Sequence, residues 1–528
     1  MASATYEVKI DFGRDGTYGH AQSDLTAYVL DMTWNNGMTR PDLEVANPAS
    51  LSLTLSNTGG DFNVEDSGAT FYGLFARGQL VRVRATFSAV TYTLFTGKLR
   101  TVPYIDPKTY GSQQVTIIAD DLMEQMLDAE FVPDLLTSIT ADQALQHVFD
   151  KAAAVLPYAS DYWMLGHSAS ALGTNTTLVD TGVGVNFETG KTTLAYVGDN
   201  TGGDRSTRVQ QYIRDALAAE GGGRFYFDGR AGKFVFHNRH HDINPASAAT
   251  LTAADYDDGR YVAQTEVTNH VTVHYTPREI GGAASVLWQS EGVITLAGGE
   301  VKTIKARYRD ASDNSARVGG KDFIVPLKGT DMVANLASDG SGEDRTNRTT
   351  LSVEFGAGEA QIVLENSHHS TFYVTTMQVR GTPIRSFQRQ SVELSDPDSI
   401  YDYDQRDETI TLNAVDTLDL AQSIAGARLA QFKDPHSWYE NISFNANKVD
   451  SRMTQALTRD IGDTITVTHT GINHSKMYVI VGERHRVQGG GDHSHEVTWI
   501  LKSNDRGQFW VLSNASLSLL SDTTILSF

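Results

Sequence analysis

The sequence contains no cysteine. That removes disulfides, thiolate metal ligands and a cysteine nucleophile together. Only 12 prolines stand against 46 glycines, so its turns rest on the conformational freedom of glycine more than on the fixed φ of proline. An apolar run of about 18 residues is missing, and no transmembrane helix is expected. The start, MASATYEVKIDF, lacks a basic stretch followed by an apolar one, so no secretory signal is expected either. Cationic charge is scarce: 43 Lys and Arg face 64 Asp and Glu, a formal net charge of −21. So acidic a chain is poorly suited to gripping phosphate backbones, and no stable nucleic-acid binding is expected.

What is present is strand. At 528 residues with 40% hydrophobic content, the chain can fill several cores. Leu51, Leu53 and Leu55 alternate with Ser50, Ser52, Thr54 and Ser56, the period of a half-buried antiparallel strand. Tyr6, Val8 and Ile10 alternate likewise, as do Val81, Val83, Ala85 and Phe87. With Thr91–Leu99 and Val115–Ala119, these make residues 1–122 a β domain, a barrel or a sandwich. Asn35-Asn36-Gly37 and Arg40-Pro41 read as a polar loop between strands. Residues 123–242 read as a mixed unit. Thr140–Gln143 and Thr207–Gln210 have the form of helix capping boxes. Leu145, Val148, Phe149 and Ala152 lie on one helical face, as do Val209, Tyr212, Ile213, Ala216 and Leu217. Gly221 to Gly223 end the second helix. Phe225 to Phe236, folded about Asp228-Gly229, reads as a hairpin. Residues 156–204 carry no clear period.

Strands return from 243 to 308. Residues 309–403 read as an inserted β unit, with 385–408 as a linker back. A helix is expected at about 415–432, stopped by Asp434-Pro435, and 404–528 closes with further strands. The overall class is mainly β with a few helices, in several domains.

Chemistry-bearing residues are few. His493 and His495 share a strand face with His485 nearby, but no carboxylate stands at ligand spacing. His240-His241-Asp242 and His368-His369 sit at strand ends. Asp255, Asp257 and Asp258, and the acids from Asp396 to Asp407, fail the ligand spacing of a calcium loop. Glycines 221–223 follow a helix instead of opening one, the wrong polarity for a phosphate loop. Serine-hydrolase and zinc-protease motifs are missing. No catalytic, cofactor or metal residue is assigned, and the chain is read as a non-enzyme.

Several motifs carry a family resemblance. They are Ser52-Leu53-Thr54-Leu55-Ser56-Asn57-Thr58-Gly59-Gly60-Asp61-Phe62, then Gly78 to Ala85, then Leu94-Phe95-Thr96-Gly97, then Val115 to Asp121. Ala219 to Phe225, Asn269 to Val273, Gln378 to Ile384, Ile461-Gly462-Asp463 and His495 to Trp499 follow in order. In this order they resemble the minor tail or tail-tip hub proteins of long-tailed bacteriophages, over nearly the whole chain.

The resemblance implies two tube-like β-barrels per chain, one in residues 1–122 and one from 243–308 with 404–528. A peripheral α+β domain at 123–242 and an inserted β-sandwich at 309–403 would lie outside the ring. It implies a virion protein made in the host cytoplasm: a baseplate hub, a homotrimer matching a hexameric tube, lining the path of DNA ejection. The implied partners are further copies of itself, the tail tube, distal tail proteins and the tape-measure protein. The loop carrying Asn36, Arg40, Asp42 and Glu44 becomes the candidate inter-subunit contact. Two alternatives stay open: a carbohydrate-binding adhesin using the inserted unit, and an enzyme cleaving cell-wall polymer.

Overall fold

The structure is a computed structural model that describes residues 3–41, 43–63, 65–101, 113–152, 184–198, 207–243, 246–263, 266–489 and 494–504, with the backbone of 508–509 and 524–525. Its centre is one twelve-stranded sheet. From one edge the order is Thr5–Ile10, Leu80–Phe87, Val90–Leu99, Gln114–Asp120, Ser50–Ser56, Val29–Gly37, His474–Gln488, Ser494–Ser503, Trp438–Asn445 and Asp258–Val262. Thr464–His469 also pairs with His474–Gln488, and Ala249–Thr252 pairs with Thr464–His469. All these pairings are antiparallel except the last.

This corrects the expected fold class. Among the described residues no sheet closes into a barrel: the order runs open, from Thr5–Ile10 to Asp258–Val262. Two separate tubes are replaced by one sheet, because Val29–Gly37 hydrogen-bonds Ser50–Ser56 on one side and His474–Gln488 on the other. The class is mixed α/β in several sheets, with mainly antiparallel strands.

The alternation in the sequence explains the core. Leu51, Leu53 and Leu55 are fully buried, and they join Val8, Val81, Val83 and Ile117 in one cluster with Tyr478, Val497 and Trp499 from the other end of the chain. The strand Val29–Gly37 turns Met32, Trp34 and Asn36 inward. Asn35 to Gly37, expected in a loop, are strand, because Gly37 pairs with Gly482 where the two backbones crowd together. A Cβ on Gly482 would stand 2.0 Å from the Met38 carbonyl oxygen, so only glycine permits this approach.

A second core lies on the other face of His474–Gln488, where Val479 and Val481 point away from Tyr478 and Ile480. It joins Met38 and Val45 to the helices Leu122–Asp128, Ala141–Ala152 and Val209–Glu220 and to the hairpin Arg224–Asp228/Lys233–His237. Thr140 N–H donates to Gln143 Oε1 at 3.0 Å, one half of the expected capping box. The box expected at Thr207 is not formed: Thr207–Arg208 is a short strand and no side chain caps the helix. Gly221, at φ 80°, closes that helix in the left-handed region, as its glycines imply.

The segment expected as a linker at 385–408 is ordered secondary structure. Gln390–Ser395 and Asp407–Leu412 flank His270–Tyr275, with the helix Pro397–Tyr403 between them. The expected helix is Leu418–Phe432. The 15-residue strand Phe372–Ser386 and the three strands Val301–Arg307, Glu359–Asn366 and Thr349–Phe355 share a further core. Among the described residues no helix is long and apolar enough to cross a membrane.

Candidate functional site

The tip of the hairpin Arg224–His237 plugs into the large sheet. Asp228 Oδ1 accepts from the N–H of Arg230 and of Ala231, and Gly232, at φ 67°, completes the turn. A Cβ on Gly229 would lie 3.5 Å from Asn36 Oδ1, so the tip rests directly on the sheet. The turn projects Arg230 inward. Its Nη2 donates to Glu483 Oε2 at 2.7 Å and its Nη1 to the Leu457 carbonyl at 2.9 Å. That carbonyl ends the helix Asp450–Thr458, where a cation also suits the helix dipole.

Glu483, 1% exposed, holds the network together. Asn36 Nδ2 donates to its Oε1 at 2.8 Å, and His485 Nε2 lies 3.0 Å from its Oε2. His485 Nδ1 lies 2.9 Å from His495 Nε2, and His495 Nδ1 lies 2.8 Å from the Tyr6 hydroxyl. The Trp34 indole stacks flat on His485 at 4.7 Å. One proton arrangement serves the whole line. Tyr6 O–H donates to His495 Nδ1, His495 Nε2–H donates to His485 Nδ1, and His485 Nε2–H faces the carboxylate.

Burial alone would raise the Glu483 pKa, but the Arg230 charge with His485 holds it well below the usual range. Burial works against the Arg230 charge, and Glu483 with Asp460 more than offsets it. Burial first, then the His485 ring, hold His495 far down and neutral. Asp460, 3.9 Å from Arg230, is pushed up to about 7 by burial and then by Asp228. These are paired charges clamped between elements, a chemistry of attachment.

A second cluster lies at the other end of the hairpin, where His237 pairs with Arg224. Glu188 follows the strand Gly184–Phe187, His237 ends Lys233–His237, and His241 sits in the next turn. One ligating atom of each lies within 4.8 Å of the others. His241 Nδ1 is 2.6 Å from Glu188 Oε1, and Asn238 N–H donates to Glu188 Oε2 at 2.9 Å. Burial, then the Arg224 charge, hold His237 neutral, down to about 3.

Of the expected contact loop, Asn36 is buried and serves Glu483, whereas Arg40 is exposed. Glu44 is half-buried. Its carbonyl accepts from Phe225 N–H at 2.8 Å, and burial raises its carboxyl pKa. Asp42 lies outside the described residues, as do His493 and most of 156–204. His485 and His495 meet each other, and His485 meets Glu483. Asp242 is gripped by both terminal nitrogens of Arg224, at 2.5 and 2.8 Å. His368 and His369 stack on each other at 4.0 Å. Asp257 binds Arg452 and Lys448, and Asp396 caps the helix Pro397–Tyr403 while binding Lys433. Sequence reading missed Arg230, Glu483, Glu188 and His237. An Arg at a hairpin tip and a lone Glu within an apolar strand were the available signals.

No family model matches the chain. No curated protein matches it either. Its structure is similar to those of tail proteins and of a component of the type VI secretion system. The 43 kDa tail protein of prophage MuSo2 from Shewanella oneidensis matches at TM-score 0.45 and 10% identity, over 95% of this chain and 99% of that one. A tail protein from Neisseria meningitidis MC58 matches at 0.43 and 10% identity, over 95% and 97%. A Francisella PdpA–VgrG complex matches at 0.38 and 9% identity, over 96% of this chain and 58% of that chain. Likeness of this degree establishes no shared activity.

Proposed function

We propose that this chain is a structural component of a phage-type tail, a hub that joins the tail tube to distal host-recognition parts. One observation supports the reading above others. The motifs of the family resemblance drawn from both ends of the chain fall on one sheet and its edges: Ser50–Ser56, Leu80–Phe87, Val90–Leu99, Gln114–Asp120 and Ser494–Ser503, with Ile461-Gly462-Asp463 leading into Thr464–His469. A sheet that consumes both ends of a chain, locked by buried ion pairs, suits load-bearing more than turnover. The non-enzymatic reading rests on the same point.

In this proposal three copies form a ring, and the exposed segment about Arg40 reaches a neighbour, together with Asp42 and Glu44. Asn36 has an interior role instead. Part of the −21 charge faces a lumen that passes DNA without binding it, since carboxylates repel phosphate within a Debye length of about 8 Å at physiological salt. Tail tube, distal tail and tape-measure proteins are the partners, and the virion tail is the location. Negative-stain imaging of the purified chain, classified for symmetry, tests this. Rings of threefold or sixfold symmetry are expected. A monomer that stays monomeric when mixed with tail tube protein refutes the hub.

A further inference from the structure

We infer that Glu188, His237 and His241 form a binding site for a zinc-type divalent cation, an inference independent of the tail reading. Three observations converge on it. The ligating atoms lie within 4.8 Å of one another, on two strand ends and a turn. His237 is 9% exposed, yet its Nδ1 is buried without a hydrogen-bond partner. A buried polar atom left unpaired is costly, and a coordinated ion removes that penalty. Gly462, at φ 96°, leaves the space open: a Cβ there would stand 2.6 Å from His237 Cε1, 3.2 Å from its Nδ1 and 3.6 Å from His241 Nε2.

The donor set chooses the ion. Two imidazoles with one carboxylate suit zinc and its first-row neighbours, whereas magnesium and calcium want oxygen alone. Neighbouring contacts hold the donors. Asn238 N–H fixes Glu188 Oε2, and Arg224 occupies Asp242, so the adjacent carboxylate does not compete. One adjustment is required. The two rings are stacked, 3.6 Å apart and 5° from parallel, so no point lies in both ring planes. His241, on a turn and with 25% of its side chain exposed, is the ring that turns. Its exposure also leaves a fourth position open to water. The ion would staple the ends of two parallel strands, Gly184–Phe187 and Lys233–His237, in a chain with no cysteine to do so.

The test uses the full-length chain without a histidine tag, stripped with EDTA, then titrated near neutral pH with Zn²⁺ by calorimetry and with Co²⁺ by visible absorption. One ion per chain is expected, with the intense bands of four-coordinate cobalt. His241→Asn, on the partly exposed turn, and Glu188→Gln should each weaken binding at least about tenfold while the far-UV circular dichroism stays native. His237→Gln should abolish it. A native chain that takes up no Zn²⁺, or a folded His241→Asn chain that binds as the native one does, overturns the site.

Discussion

Arg230→Ala is the sharpest perturbation of the buried network. It removes a guanidinium whose side chain is 10% exposed and strands Glu483, whose side chain is fully buried. Removing one partner of a buried pair costs about 3–5 kcal/mol, because the other charge stays behind uncompensated. Asn36 and His485 still touch Glu483, which places the expectation at the lower end of that range. The Leu457 carbonyl also loses its donor. At about 1.4 kcal/mol per tenfold, 3 kcal/mol corresponds to roughly a hundredfold loss of protection against local opening. Hydrogen exchange by mass spectrometry should report it in peptides covering 224–237, 450–463 and 474–488, and much less in 349–366. Glu483→Gln provides the second side of a double-mutant cycle, with a coupling of at least about 1 kcal/mol expected between contacting charges. A loss of protection below about tenfold, or strict additivity, would refute the claim that this pair locks the hairpin to the sheet.

Three further substitutions probe other contacts. Gly482→Ala forces a Cβ to within 2.0 Å of backbone and should cost about 3 kcal/mol. Gly78→Ala, at φ 82° with nothing within 4 Å of the added Cβ, should cost only about 1–2 kcal/mol; equal shifts in melting temperature would contradict the crowding at Gly482. Asp460 offers a test against pH. Its folded pKa, raised to about 7, stands above the unfolded value of about 3.9, so the folded chain binds more protons between them and this group adds stability as pH falls through that window. Asp460→Asn should flatten the rise in melting temperature between about pH 7 and pH 4, modestly, because 37% of the side chain remains in water. An unchanged slope would show that the carboxyl is not raised.

Local periodicity carried the strands and helices well. Leu51, Leu53 and Leu55 lie in the strand Ser50–Ser56, and Val209 to Leu217 in a helix closed at Gly221. The hairpin about Asp228-Gly229 also formed. Closure was not legible. Whether a sheet curls shut depends on which distant edges pair, and no local pattern records that Val29–Gly37 joins His474–Gln488. Asn35-Asn36-Gly37 misled for the same reason. Asn36 looks like turn chemistry until Glu483, 447 residues away, appears as its partner. His485 was read as lying near His495, and the two do meet; Tyr6 and Glu188, the partners of His495 and His241, lie on distant elements that spacing along the chain does not record.

The pairing of Val29–Gly37 with His474–Gln488 also sets a clock. At about 5–20 residues per second of synthesis, the early strand leaves the ribosome roughly 20 to 90 s before its neighbour exists. For that interval Trp34 and Leu53 belong to an unfinished sheet with an unpaired edge, the kind of surface that invites chaperones or aggregation. A chain terminated before residue 474 never acquires the strand that shields it. Residues 474–488, near the end of the sequence, therefore decide whether that edge is ever covered.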